Sequence, residues 1–592
     1  MARHTDTLSK VLLTFGFVTL AVGVAVAYTA PASNYELSVY TATPTLFWVG
    51  IAAGMLVAID VSIFGRTGRV RVLALFLGGG CYTAFAGLPI VRNYHFYGTA
   101  DALTHLGWTR GITSGETELL SLLYPGIHTV AAFISETTGY ATTRSMLYVV
   151  ALFVVLFVIF VPLCAWVLTN DLWTTAIATF SAFMMLPITN ISSQLVAHTT
   201  TQAILFLPVV LYLIVRYLQS ERRGMRPTAA GVILSVVLVS LVLYHPQQSL
   251  NLLVMFLAIV ALQLTVRWYR STPGGISKVR PIYTQTGILA TAFLLWSPGK
   301  GRFQTSVSSF IYRINRFVSG ETGFAGSAAQ RGSSLVEIGA GLGELYLKLF
   351  AVTTVYCLIT GALLLTILAD RMDDEDGLLD SFGRLTLVGF VPATVVFLLY
   401  LIIDFETQSF RYLSFLLVFA TLLGAIGIAR GWEWAGGLDR PVLGTALSIA
   451  ILLGLAVSMA TVFPSPWIYL HSQHVTEMQM NGHTESLDHI PDDSLFYAPR
   501  SGPDRYADVH NRRLIENDSR FRSLDEDAML TDLSEAYGTD WYFGLSRLSR
   551  EQEVGAYQEL RYSAVSYDTA RSQRGVNQVS DNGEFQLYYV TG

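Results

Sequence analysis

One carboxylate stands apart in a largely apolar chain. In the stretch FYGTADALTHLGWTRGI, Phe96 to Ile112, Asp101 is the single acid and His105 follows four residues later. On a helix, Asp101, His105 and Trp108 fall at i, i+4 and i+7 and share a face. A carboxylate here can accept a proton or pair with a cation. It can equally be a helix-start charge facing the macrodipole, with Thr99 as the cap. Cations gather elsewhere: the segment 297–344 holds Lys300, Arg302, Arg313, Arg316 and Arg331 among Phe303, Phe310, Ile311 and Phe317. A guanidinium fork matches phosphate oxygens. A basic amphipathic stretch can also lie among anionic lipid heads with no specific ligand. Further polar groups are His128 in YPGIHTVAAFISETTG, and His245, Gln247 and Gln248 in LVLYHPQQSLNLL. In ISSQLVAHTTTQ, helical spacing would put Gln194, His198 and Gln202 on one face. Asp404, Glu406 and Arg411 fall in IIDFETQSFRYLSFLL. A charge inside a membrane costs about 2.5–3.5 kcal/mol and tends to line a cavity or a path. Arg411 therefore either faces such a cavity, snorkels to the interface, or pairs with Glu406.

The elements that must position these groups are membrane helices. Of the 592 residues only 14% are charged, and the mean hydropathy is +0.47. Apolar runs of spanning length recur, so the fold class is mainly α, a polytopic membrane protein with about thirteen spans. These are 11–28, 46–64, 71–91, 146–168, 173–188, 199–217, 228–244, 248–268, 284–296, 345–368, 385–403, 409–429 and 442–463. The runs 173–188 and 284–296 are short enough to be tilted, kinked or re-entrant. Basic residues crowd the loops 65–71, 216–226 and 267–280, whereas 29–45, 189–198, 245–247 and 404–408 carry no Lys or Arg. That asymmetry predicts a cytoplasmic N-terminus and, with an odd span count, an extracellular C-terminal segment. The outer loops 92–145 and 297–344 are then the large ones, and the first reads as two helices lying on the membrane. Trp108 and Tyr124 suit the headgroup level. The sequons at Asn190 and Asn517 also fall outside, as chance matches or glycan acceptors.

Two domains follow: 1–464 in the membrane and 465–592 as a small external α/β module. In the module, SLFYAPR, TDWYFGLS and FQLYYVTG read as strands, with DEDAMLTDLSEAYG and SREQEVGAYQELR as helices between them. The module has no GxSxG, Walker A, HExxH or CxxC pattern. Cys81, Cys164 and Cys357 are scattered through apolar runs and offer neither a disulfide framework nor a metal-ligand spacing. No cofactor is expected; a divalent metal is possible but not indicated. The module has no lysine and about twice as many acids as arginines. That composition suits a salt-adapted, halophilic source, although a GC-rich genome also favours Arg over Lys.

The layout resembles the GT-C superfamily of glycosyltransferases that use lipid-phosphate sugars. The resemblance covers the span-rich body, YGTADALTHLGWTRGI early in the first large outer loop, the following YPGIHTVAAFI, and the small external tail. FPSPWIYLHSQHVTEMQMNGH, after the last span, is similar to haloarchaeal members, among them dolichyl-phosphate-mannose mannosyltransferases of S-layer glycosylation. The chain departs from the double-acid and DxD patterns, since Ala102 and Leu103 follow Asp101, and it lacks WWDYG. These departures argue against transfer of a whole glycan to asparagine and against a DxD metal site. The resemblance implies a hexosyltransferase acting with inversion in protein N-glycosylation. Asp101 would be the catalytic base, and His105, His128, His245, Arg302, Arg313, Arg316 and Arg411 the substrate-binding residues. The partners implied are a dolichyl- or polyprenyl-phosphate sugar donor, with mannose the expected sugar, a glycan acceptor on lipid or protein, and membrane lipids. No nucleic acid is expected. A flippase or other transporter for lipid-linked oligosaccharides, and a glycan polymerase or ligase, are the competing readings. A one-sided cavity holding Asp101 and arginines favours transfer, and a polar path through the membrane favours transport.

Overall fold

The structure, a computed structural model, describes residues 5–592 except 221–226, 270–275, 277–278, 320–335, 337–338, 370–376, 404–407, 437–440, 501, 511–519, 525–528 and 530–531. Among the described residues nine helices are long and apolar enough to cross a membrane, which makes this a multi-pass membrane protein. They are Asp6–Tyr28, Thr45–Phe64, Thr142–Thr169, Thr199–Gln219, Pro246–Trp268, Leu342–Leu368, Leu378–Ile402, Gln408–Trp434 and Val442–Val462. The other four apolar runs are also helical, as Gly68–Ala86, Leu172–Phe183, Ala229–Tyr244 and Tyr283–Trp296. Each of these four is too short or too polar to meet the same measure. The run beginning at 173 stops at Phe183, and the chain is irregular from there to His198.

Thr199–Gln219 and Gln408–Trp434 are the innermost spans, with 83% and 78% of their apolar windows buried. At the rim, Asp6–Tyr28 packs closely on Thr45–Phe64 because Gly50 and Gly54 present no side chain there. Small residues allow such backbone approach in lipid, where no hydrophobic effect drives helices together.

After the last span the chain returns over the bundle. Its strand β2 (His474–Val475) pairs antiparallel with β1 (Phe96–Tyr97) of the first large loop. Tyr35 donates its backbone N–H to Glu584, tying a third loop to the tail. Loops 29–45 and 92–145 and the tail therefore lie on the same side of the bundle. A buried bracket holds this junction: Arg92 pairs with Glu36 at 2.5 Å, Tyr94 donates to Glu36, and the Tyr94 ring stacks on His474 at 4.0 Å.

The tail contains a five-stranded sheet in the order β4 (Phe521–Ser523), β3 (Leu495–Ala498), β5 (Trp541–Ser546), β7 (Phe585–Val590), β6 (Val576–Asp581). The pairs β4–β3 and β3–β5 are parallel, and β5–β7 and β7–β6 are antiparallel. Trp541, Phe543 and Val590 alternate inward and form the module's own core with Tyr562 and Tyr567. The helix expected over DEDAMLTDLSEAYG lies partly outside the described residues, and its described end, 532–538, consists of turns. Asn517 also lies outside them. Asn190 is buried, and its amide donates to the Thr461 and Val462 carbonyls. A glycan cannot be attached to that nitrogen in this fold.

Candidate functional site

The site forms where the first large loop, the innermost spans and the tail meet. Residues 92–145 yield two helices, Asp101–Ser114 and Gly126–Thr138. The turn into the first uses Gly98 at φ 152° and Ala100 at φ 49°. Thr99 does not cap this helix, because its hydroxyl and backbone N–H both donate to Gln473 of the tail. Asp101 is the first helical residue and is half exposed. The expected face does form, and it looks into a cavity.

That cavity holds about 960 Å³. Its lining includes Asp101, His105, Trp108, Tyr124, His198, Thr200, His245 and Gln247, with Arg302, Arg313, Arg411 and Arg505 as cations. Asp101 is the only acid among the described lining residues. Leu250, Phe293, Phe303, Val307, Phe310 and Tyr400 supply an apolar wall. The chain alternates direction from span to span. By that alternation His198 to Thr200, His245 to Leu250, Phe293, Tyr400 and Arg411 all sit at helix ends on the tail side. The two innermost spans both begin at the cavity, one behind His198 and the other three residues before Arg411.

The helix Gly301–Val318 closes one flank of the cavity. Phe303 packs on Phe293 and Phe310 on Tyr400, with centroids 5.8 and 5.1 Å apart. Lys300 lies over the Trp296 ring, and the Trp296 indole donates to the Leu123 carbonyl at 2.7 Å. Arg302 sits 4.5 Å over the Trp108 ring and reaches the Tyr124 hydroxyl at 3.4 Å. Arg313 lines the cavity one helical stretch further on. Arg316 does not: it lies over Tyr312 on the same helix, three residues past the last cavity position. Phe310 and Arg313 are themselves one i, i+3 step apart on the lining, so Arg316 keeps their face and leaves the cavity by lying a turn further along the helix.

Four histidines cluster behind Asp101. His105 Nδ1 is 3.1 Å from His128 Nε2, and the His105 ring lies 5.5 Å from that of His198. His198 Nε2 is 3.8 Å from Asp101, and His245 Nε2 is 3.0 Å from the Thr200 hydroxyl. Burial pushes all four down in pKa: His128 to about 3, His198 to about 4, and His105 and His245 well below the usual imidazole range. Arg411 depresses His198 and His245 further. His128 lies behind His105 and is not among the cavity's lining residues. The expected single face for Gln194, His198 and Gln202 is absent, because residues 189–198 are not helical. Gln202 instead bonds back to His198 and Val196.

Two lining residues escaped the sequence-based selection. His198 was visible as a polar residue at a span end, but nothing local tied it to Asp101. Arg505 comes from the tail helix Asp504–Val509, 401 residues along the chain from its partner Thr104, and no spacing rule links them. Glu406, the pairing partner considered for Arg411, lies outside the described residues, as does Asp404. Among the described residues no three His, Cys, Asp or Glu side chains come together as a cation site.

No family model and no curated sequence matches the chain. Similar solved structures include the oligosaccharyltransferase of Archaeoglobus fulgidus in complex with Zn and sulfate. It has 12% identity and a TM-score of 0.45, over 86% of this chain and 73% of that one. ArnT of Cupriavidus metallidurans in the apo state gives 11% and 0.44, over 88% and 98%. The same protein bound to undecaprenyl phosphate gives 12% and 0.40, over 88% and 98%. At such low similarity nothing about the reaction follows from these likenesses.

Proposed function

We propose that this protein transfers a sugar, mannose by our reading, from a dolichyl- or polyprenyl-phosphate donor to a glycan acceptor at the outer face of the cell membrane. The observation that carries the reading is the cavity itself. It joins a single carboxylate, several guanidinium groups and an apolar wall at one end of a helix bundle. A polyprenyl-phosphate sugar has the complementary parts: an isoprenoid chain, an anionic phosphate and a polar ring. His245 Nδ1 and Gln247 Nε2 are buried without a protein hydrogen-bond partner among the described residues. Such groups carry a desolvation cost that a polar ligand would relieve.

In the proposed reaction the acceptor oxygen attacks the anomeric carbon from the face opposite the phosphate. Asp101 takes the hydroxyl proton as that bond forms. The bond from anomeric carbon to phosphate oxygen breaks with inversion, and its electron pair leaves with the lipid phosphate. The departing group gains negative charge, which Arg302, Arg313 and Arg411 are arranged to stabilise. The donor is already activated by its phosphate, so the reading assigns no cofactor. The one-sided distribution of polar groups favours transfer over transport, since transporters gather their charges near mid-membrane.

The test is direct. Purified protein in lipid nanodiscs is given radiolabelled polyprenyl-phosphate mannose and lipid-linked glycans from cells lacking the gene. Label should move to the glycan, and the deletion cells should carry glycans one sugar short. Full-length glycans in those cells, with no label transferred in vitro, would overturn the proposal.

A further inference from the structure

The tail does more than cover the bundle, because it carries a cation to the proposed base. Arg505 Nη2 is 2.9 Å from Asp101 Oδ1. The arginine is itself held on three sides. Its Nη1 donates to the Thr104 hydroxyl at 3.0 Å, and that hydroxyl donates to Asp508 at 2.6 Å. Asp504 and Asp508 carboxylates lie 3.6 and 3.8 Å from the guanidinium. Thr104 stands on the same helix as Asp101, so the guanidinium spans nearly one helical turn and ties the carboxylate to its own helix.

The docking of the two helices is built into the sequence at Gly107. A side-chain carbon there would collide with the Asp508 carbonyl, so only glycine lets the tail helix lie this close. Asp101 needs such a restraint. It sits at the open first position of its helix with its side chain 51% exposed, and no side chain caps that end. A solvated carboxylate there has several rotamers, and a reaction geometry misplaced by ~1 Å can cost ~10²-fold in rate. An ion pair this exposed adds little to stability, so its contribution lies in geometry.

We propose that Arg505 is a positioning residue for Asp101, supplied by the C-terminal module of the same chain, so that the membrane domain is incomplete as a catalyst without the tail. This rests on the transfer reading above. Arg505 holds one carboxylate oxygen and leaves Oδ2, which faces His198 at 3.8 Å, to take the acceptor's proton.

The experiment uses full-length protein in nanodiscs, with polyprenyl-phosphate mannose as the donor probe and deletion-strain glycan lipids as acceptor. Wild type, Arg505→Gln, Arg505→Lys and Thr104→Val are compared, and Asp101→Asn serves as the inactive control. Arg505→Gln should lower kcat on the order of 10–100-fold with the donor KM within about twofold. Arg505→Lys should recover part of that loss, because an ammonium reaches the carboxylate but cannot bridge to Thr104. Thr104→Val, which leaves both charges in place, should fall between the two. Equal kcat in wild type and Arg505→Gln would overturn the assignment while leaving the transfer reading intact. So would equal losses in the Gln and Lys variants, since a merely structural role predicts no rescue by charge. Wild-type protein that transfers nothing removes both readings together.

Discussion

The helix that carries Asp101 and the helix that carries Arg302 and Arg313 face each other across the cavity, yet they are built in opposite ways. The first, Asp101–Ser114, is largely buried. It is held by the His105–His128 contact on one side and by the tail at Thr104 and Gly107 on the other. The second, Gly301–Val318, has most of its residues exposed and rests on the bundle chiefly through Phe303 and Phe310. Its exposed apolar residues, among them Val307 and Ile311, leave it suited to an interface shared with lipid. Proton transfer demands fixed geometry over a few tenths of an ångström. Attraction of a phosphate by guanidinium groups falls off slowly with distance and tolerates movement. A rigid base opposite a lightly packed cationic flank is thus a division of labour between two kinds of interaction.

The largest effect is expected at the rigid side. Asp101→Asn keeps the shape and removes the basicity, so transfer should fall by about 10²–10⁴-fold. The protein should still insert at normal levels, and the lipid-linked sugar donor should accumulate in cells. Normal turnover in a normally inserted Asp101→Asn protein would return Asp101 to the role of a helix-start charge.

The cationic flank is expected to respond differently. Arg313→Gln and Arg411→Gln should each raise the donor KM on the order of tenfold, the loss of one charge-assisted contact. Titrating transfer against polyprenyl-phosphate mannose concentration reads this out. If both variants keep the wild-type KM, the phosphate is held elsewhere.

Acid should weaken the rigid side selectively. His128 is held down to about 3 and His198 to about 4 by burial, from an ordinary value of 6.5. Above about pH 6.5 both are neutral whether the chain is folded or unfolded, and they contribute no pH dependence. Below it the unfolded chain takes up protons that the folded one refuses, so stability falls as the pH drops towards 4. Thermal midpoints measured from pH 7 to pH 4 should decline, and His128→Asn should flatten that decline. A His128→Asn profile that overlays wild type would show that this imidazole does not stay neutral in the folded protein.

The smallest effect belongs to Arg316. It shares a helix and a face with Arg313 but lies a turn beyond the lining, so Arg316→Gln should leave the donor KM within about twofold of wild type. A shift as large as that of Arg313→Gln would mean that the bound ligand extends a turn further along the helix.

Much of this architecture was legible in the chain. Apolar runs write themselves into helices because no lone backbone group can be left unpaired in lipid. Each of the thirteen runs forms a helix close to its expected bounds, although four fall short of a full span by length or apolarity. The i, i+4, i+7 spacing of Asp101, His105 and Trp108 placed them on one face, because periodicity is a local property of helix geometry. The strands near Leu495, Trp541 and Phe585 were visible for the same reason. The errors came where a residue's partner lies far away in sequence. Thr99 has the chemistry of a helix cap, but Gln473 of the tail competes for it and wins. Arg316 has the same composition and neighbourhood as Arg313, and only the placement of the helix against the bundle separates them.

The order of residues along the chain already marks which segments form long apolar helices and that arginine gathers in one loop. Those properties follow from transfer free energies and helical periodicity, both summed over neighbouring residues. That His198, His245, Arg411 and Arg505 line one cavity with Asp101, and that His128 and Arg316 stand behind or beside it, appears first in the packed structure. Such meetings depend on how the helices and a returning tail pack together. The glycine at position 107 that permits the decisive approach is read as an ordinary helix residue until its neighbour, the Asp508 carbonyl, is in place.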